Sequence, residues 1–295
     1  MTIDVLQRKI KTTNDLRDIV TTMKTMSSAS IGQYERAAKV LEKYRQNIQN
    51  AFHALALQDG LPTIISHQQN SIKRYLFLMI GSDNGMVGKF NKEIVELADA
   101  EIKNRHLSKK DVLLITVGRR IATLAEQAKY NIYAGYGVSN SVKVINSLAE
   151  SLILKLDKVL RQERINHVTV FYHQRMNNMT VSIKQQDVLP FDFSRYRKLK
   201  NKAWGTNNIP QTDISSEQLF TALMNEIIMI GLAEKLNASL AAEHFVRMTN
   251  MQNAEKNIDE NLEQLNLAYQ QQRQEEITDE LIDVVSGAEA LKKKV

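Results

Sequence analysis

The residues best placed for chemistry are Ser82, Asp83, Asn84 and Gly85, with Gly88 three positions on. They follow an apolar run of strand length and precede a segment of helical length. A glycine turn at such a junction can cradle phosphate on free backbone N–H groups. The dinucleotide fingerprint, however, needs three glycines, and the phosphate loop needs Gly-Lys followed by Ser or Thr. Here Gly88 and Lys89 are followed by Phe90. The simpler expectation is a tight βα turn in which Asn84 and Gly85 supply positive φ.

The six histidines, His53, His67, His106, His167, His173 and His244, show no metal-ligand spacing. His167 and His173 flank one expected strand and read as surface residues. No serine lies in a nucleophile elbow. There are no cysteines, which excludes disulfides and thiolate chemistry and suits a reducing compartment. Glu275, Glu276, Asp279, Glu280 and Asp283 read as one solvated helix face rather than an acid–base pair. The expectation is a chain with no catalytic residue, no metal and no cofactor.

The elements that carry these residues follow from the prolines. All three, Pro62, Pro190 and Pro210, fall outside two long terminal runs. Proline ends helices, so the runs are free to be long ones. In the first run two heptad series interlock. One is Leu6, Thr13, Val20, Ser27, Tyr34, Leu41, Ile48, Leu55; the other is Leu16, Met23, Ser30, Ala37, Tyr44, Ala51. Such a repeat keeps one seam toward a partner helix. The last run carries Leu219, Leu223, Ile227, Ile230, Leu236 and Leu240, then Met248, Met251, Ala254, Ile258, Leu262, Leu265 and Tyr269. Its stripe then slips and resumes at Ile277, Leu281, Val284, Ala288 and Leu291. The second run is the longer, so one of its ends must outrun its partner.

Between them, Tyr75–Ile80, Val112–Val117 and Val168–Tyr172 are continuous apolar runs, as in strands buried on both faces of a mainly parallel sheet. Helical segments near 89–106, 118–128 and 140–164 alternate with them, which is the α/β signature. Thr180–Gln185 is expected to return as an antiparallel edge after a turn at Asn177 and Asn178. Residues 57–71 and 195–212 read as linkers. The expected organisation is α/β: N- and C-terminal helices, 1–56 and 213–295, in a long antiparallel coiled coil, and a central α/β domain, 72–195.

The net charge of +6 hides an asymmetry. Residues 1–45 hold nine basic and five acidic residues, 46–212 hold 23 and 13, and 213–295 hold seven and 15. A nucleic-acid binder would put one basic face along the whole molecule, so no nucleic acid is expected. No stretch reaches the ~18 consecutive apolar residues of a membrane span. Asp4, Asp15 and Asp18 argue against a transit peptide.

Glu243 to Ala254, followed by Leu262, Tyr269, Arg273, Gln274, Ile277, Thr278, Glu280, Leu281 and Val285 to Ala288, resembles the C-terminal helix of the gamma subunit of F-type ATP synthases. Ser82 to Asn91 is similar to that family's strand–turn–helix signature, and Lys9, Ile10, Ile19, Val20 and Met23 fit its N-terminal helix. The resemblance implies a non-catalytic central-stalk rotor that couples ion flow to ATP synthesis or hydrolysis. It implies alpha and beta subunits of the catalytic ring, the epsilon subunit and the membrane ring of c subunits as partners. The place implied is the cytoplasmic face of the bacterial inner membrane, as a peripheral protein. By the same resemblance Arg273, Gln274 and Thr278 contact a beta subunit, and Met23 and Arg247 lie in the coupling region. The chain departs from the pattern in Lys89, where the family has a small residue, and in lacking basic residues just after Ser30. Without the resemblance, two other readings stand: a coiled-coil scaffold or tether, and a nucleotide-using enzyme built on the α/β segment.

Overall fold

A computed structural model describes residues 2–58, 74–138, 142–176, 180–192, 198–201, 203–206, 208 and 210–292. The elements run α1 (Ile3–Leu57), β1 (Tyr75–Ile80), α2 (Phe90–Asn104), β2 (Val112–Val117), α3 (Arg119–Gln127), β3 (Asn131–Tyr136), α4 (Val142–Gln162), β4 (His167–Arg175), β5 (Val181–Leu189) and α5 (Ser216–Lys292). The two terminal helices hold 55 and 77 residues. At 1.5 Å per residue they are about 80 and 115 Å long. The turn expected at Asn177 and Asn178 and most of the expected 57–71 linker lie outside the described residues.

The sheet order is β3-β2-β1-β4-β5. The first four strands are parallel, and β5 pairs antiparallel with β4, Phe171 opposite Gln185. Strand β1 lies at the centre and is buried at every position. Its side chains alternate between two cores, as the pleat demands. Leu76, Leu78 and Ile80 join Ile115, Val117, Leu152, Leu156, Val168 and Val170, together with Tyr34 of α1 and Leu232, Leu236 and Leu240 of α5. Phe77 and Met79 join Phe90, Ile94, Leu114, Ile121 and Phe171 on the other face. A third cluster holds α1 to α5 directly, through Ile48, Phe52, Leu55, Leu223 and Ile227.

Strand β3 is absent from the sequence reading. It is an edge strand, half-exposed along most of its length, with a polar start at Asn131 and Gly135 in its middle. Neither an apolar run nor a clean alternation marks such a segment. The other edge, β5, was expected, and charged side chains hold it. Arg105, which caps the C-terminus of α2, bonds Asp187 at 2.9 Å and Glu101 at 2.5 Å, and Thr169 Oγ1 donates to Asp187 at 2.6 Å.

The chain divides into two compact units, residues 28–246 and residues 1–27 with 247–295. In the larger, α1 and α5 run antiparallel. Arg45 bonds Glu234 at 3.0 Å, Tyr44 Oη donates to Glu226 at 2.9 Å, and Asn237 Nδ2 donates to the Tyr34 carbonyl at 2.9 Å. The smaller unit is antiparallel as well. Gln7 donates to Tyr269 Oη at 3.0 Å, Arg17 bonds Asp259 at 2.7 Å, Thr21 donates to Glu255 at 2.8 Å, and Lys24 bonds Glu255. The ties run from exposed, at Gln7 and Arg17, to buried, at Asn237, and surface ion pairs add little. They fix register, while the buried seam supplies the stability. The seam is the first heptad series: Leu6, Ser27, Tyr34, Ile48 and Leu55 are buried. Leu16 and Tyr44 of the second series are exposed and sit at its margin. The other members of the second series, Met23, Ser30, Ala37 and Ala51, are half-buried.

Candidate functional site

Open α/β sheets receive ligands at the carboxyl ends of their strands, where the strand order reverses. Here that place is beside β1 and β4, and the chain's own helix fills it. Ser239 of α5 donates its hydroxyl to the carbonyl of Ile80, the last residue of β1, at 3.1 Å. The same hydroxyl accepts the N–H of His173 in β4 at 3.4 Å. Leu236 and Leu240 pack on either side of Ser239 along the helix and are buried.

The Ser82 turn is likewise satisfied from within. Asn91 of α2 accepts the Ser82 N–H at 2.9 Å and donates to the Ser82 hydroxyl at 2.8 Å. Asp83 accepts the backbone N–H of Arg119, the first residue of α3, at 2.8 Å. A carboxylate thus stands where a helix N-terminus would hold phosphate. The left-handed residues of the turn are Met86 (φ 64) and Gly88 (φ 57), not Asn84 and Gly85 as the sequence suggested. The clamp by Asn91 moves the reversal downstream. Close approach sets the glycine at 81, where a Cβ would collide with Asn91 and Ile121. Gly118 has φ 115, and a Cβ there would lie 2.8 Å from the Ser82 carbonyl oxygen.

His173 is buried and not the surface residue its place at a strand end suggests. Its side chain is 1% exposed, stacked 3.9 Å from the Phe90 ring, with Nε2 3.2 Å from a Glu93 carboxylate oxygen. Burial pushes its pKa down, and Glu93 opposes the shift only in part. The folded chain therefore excludes a proton that the unfolded chain accepts. This contribution to stability is complete above about pH 6.5 and is lost as pH falls below it toward the folded value. Urea unfolding at pH 8 and pH 5 should show a smaller drop in stability for His173→Gln than for the native chain. Equal drops would mean that His173 is protonated in place.

The residues expected to meet a partner lie at the far end of α5. Every residue from Arg273 to Ser286 is exposed. Ile277, Leu281, Ile282, Val284 and Val285 are 47–69% exposed. They cluster on one side of the helix, with Glu275, Glu276, Asp279, Glu280 and Asp283 on the other at 100° per residue. Gln274 and Thr278 are one turn apart, and the Thr278 hydroxyl donates to the Gln274 carbonyl at 2.8 Å. Arg247 is buried at 4% exposure, and Met23 is half-buried in α1; both belong to the smaller unit. Sequence reasoning missed Ser239, for which no motif exists, and the clamping role of Asn91, which it held only as the end of the Ser82–Asn91 signature. Their only signal was a polar residue inside an apolar helical stripe.

The helices, the filled crevice and the exposed amphipathic end together define a coiled-coil stalk protein with an α/β domain. A family model described as ATP synthase matches residues 2–291. The ATP synthase gamma chain of Cytophaga hutchinsonii is 26% identical, over 97% of this chain and 97% of that one. That of Campylobacter jejuni is 25% identical, over 97% of this chain and 98% of its own length. The fold is also that of a chain in the rotor of the Euglena gracilis mitochondrial ATP synthase, with a TM-score of 0.63 at 13% identity, covering 93% of this chain and 98% of that one. The chain belongs to the ATP synthase gamma family, the non-catalytic central-stalk subunits of the rotor.

Proposed function

We propose that this chain turns inside a ring of alpha and beta subunits and couples ion flow through a membrane ring of c subunits to ATP synthesis or hydrolysis. The observation that carries the proposal is the 273–286 stretch of α5, an amphipathic end exposed on all sides in a chain of this family. A free apolar stripe of this length calls for a partner. The division of labour follows the elements: the coil of 1–56 with 213–295 works inside the ring, and the α/β domain, 72–195, meets epsilon and the c ring. The bacterial relatives support a place at the cytoplasmic face of the inner membrane, as a peripheral subunit.

The mechanism needs no reacting group on this chain. Identical subunits around a closed ring have equivalent sites, and only an asymmetric contact makes them differ. A two-helix coil inside the ring has different residues on each side. As it turns, each site in turn meets the surface that favours its open or closed state. Binding coupling is reciprocal, so nucleotide exchange at the sites also drives the coil. Arg273, Gln274 and Thr278 supply the contact with a beta subunit, and Met23 and Arg247 belong to the stretch through which coupling passes.

The test is direct. A reporter bead on the α/β domain, in a complex reconstituted with alpha and beta subunits fixed to glass, should rotate in one direction while ATP is hydrolysed. A complex that hydrolyses ATP at full rate with the bead stationary would end the rotor reading.

A further inference from the structure

Asn84 is the one asparagine of the sequence that precedes a glycine. It is exposed, and with Gly85 it lies in a bend outside helix and strand. The backbone nitrogen after an asparagine can close a five-membered ring on the side-chain carbonyl carbon. Glycine has no Cβ to shield that nitrogen. Two things slow the closure in water. The backbone N–H is a weak acid, and negative charge develops on the attacked oxygen.

The turn eases both. Ser82 Oγ donates to the Asn84 carbonyl at 2.9 Å and itself accepts from Asn91 Nδ2 at 2.8 Å. A hydroxyl that accepts one hydrogen bond donates the next more strongly. Density is thereby drawn onto the oxygen of the Asn84–Gly85 peptide, and its N–H becomes more acidic. A guanidinium nitrogen of Arg120 lies 3.6 Å from the place where a Cβ of Gly85 would stand. Arg120 is exposed and is the second residue of α3, so its charge adds to the positive end of that helix. Both favour negative charge at the reacting atoms. The neighbouring carboxylate, Asp83, is held instead by Arg119, through its N–H at 2.8 Å and its guanidinium at 3.3 Å.

We propose that Asn84 is a self-deamidation site promoted by this turn. The Gly85 N–H gives its proton to hydroxide, and the nitrogen attacks Asn84 Cγ. The side-chain nitrogen of the adduct takes a proton from water, its bond to Cγ breaks, and ammonia leaves. Water then adds to either carbonyl of the succinimide that remains, and the ring C–N bond at that carbonyl breaks. The products are ammonia and aspartate or isoaspartate at position 84. The new carboxylate stands beside Arg120 and the N-terminus of α3, where negative charge is favoured. Isoaspartate also lengthens the main chain inside the Ser82 clamp.

The experiment incubates the full chain at pH 7.5 and follows every asparagine by peptide mass spectrometry, with isoaspartate separated from aspartate by chromatography. Asn84 should be lost at least about tenfold faster than any other asparagine, because only there does glycine leave the attacking nitrogen unshielded. Both acids should appear. Arg120→Gln should slow the loss by about two- to fivefold, the size of one charge effect at a helix terminus. Arg120→Lys keeps the charge and should restore most of the rate. In urea all three chains should lose Asn84 at one rate. An Asn84 that outlasts other asparagines would overturn the proposal, as would aspartate as the only product. So would an Arg120→Gln chain that loses Asn84 as fast as the native one, because the turn would then promote nothing.

Discussion

Leu236→Ala is expected to lower the unfolding free energy of the free chain by about 2–5 kcal/mol. Leu236 is 1% exposed in the cluster where α5 meets the inner face of the sheet, with Leu232, Leu240, Ile80 and Val170. The site has little room to collapse. The sheet face beside it is fixed by four parallel strands, and Ser239, three residues on, holds α5 to the end of β1 at 3.1 Å. The cavity term therefore adds to the lost transfer energy instead of being relieved. Losing the Ser239 hydroxyl is expected to cost less, about 1–3 kcal/mol, for the carbonyl and N–H it leaves unpaired. Urea unfolding followed by circular dichroism measures the loss. A loss below about 1 kcal/mol for Leu236→Ala would mean that α5 is held by the ion pairs of the coil and not by this core.

The same residues show what could be read from sequence. The terminal helices were legible because their signal is long and local. Absence of proline, a heptad of large residues and a longer second run all lie within each segment, and an antiparallel pair follows once both are seen. Strands β1, β2 and β4 were legible because burial on both faces leaves continuous apolar runs. What escaped was non-local. His173 reads as the polar end of a strand, and its burial depends on α2, whose Phe90 stacks on it, and on Ser239, 66 residues on. The positive φ of Met86 depends on how Asn91 clamps Ser82, which no dipeptide rule contains. Strand β3 escaped because an edge needs only half a face of apolar residues. The exposed end of α5 was foreshadowed by the slip in its stripe after Tyr269. Its being exposed on every side from Arg273 on follows from the length of the pair, 77 residues against 55.

Replacing both Arg273 and Gln274 with alanine is expected to leave the free chain unchanged and to weaken the complex. In the free chain both side chains are exposed, so neither holds a buried contact to lose. An arginine on a solvated face beside Glu275 and Glu276 contributes under ~1 kcal/mol, and alanine is the better helix former. Helix content and the urea midpoint should therefore stay where they are. Inside a ring the balance changes. A guanidinium that reaches a carboxylate of a beta subunit in a partly dry bearing leaves that carboxylate unpaired when truncated, at a cost of about 2–5 kcal/mol. Arg273 and Gln274 stand at the start of the fully exposed stretch, one turn before Ile277 and Thr278. Assembly yield or ATP turnover of the reconstituted complex should fall by tenfold or more, since ~1.4 kcal/mol already corresponds to a factor of ten. Arg273→Lys should recover only part of the loss, because an ammonium keeps the charge and loses the planar fork. Native yield and turnover in the double variant would place the beta contact elsewhere on α5, and a shifted urea midpoint would show that the pair serves the fold.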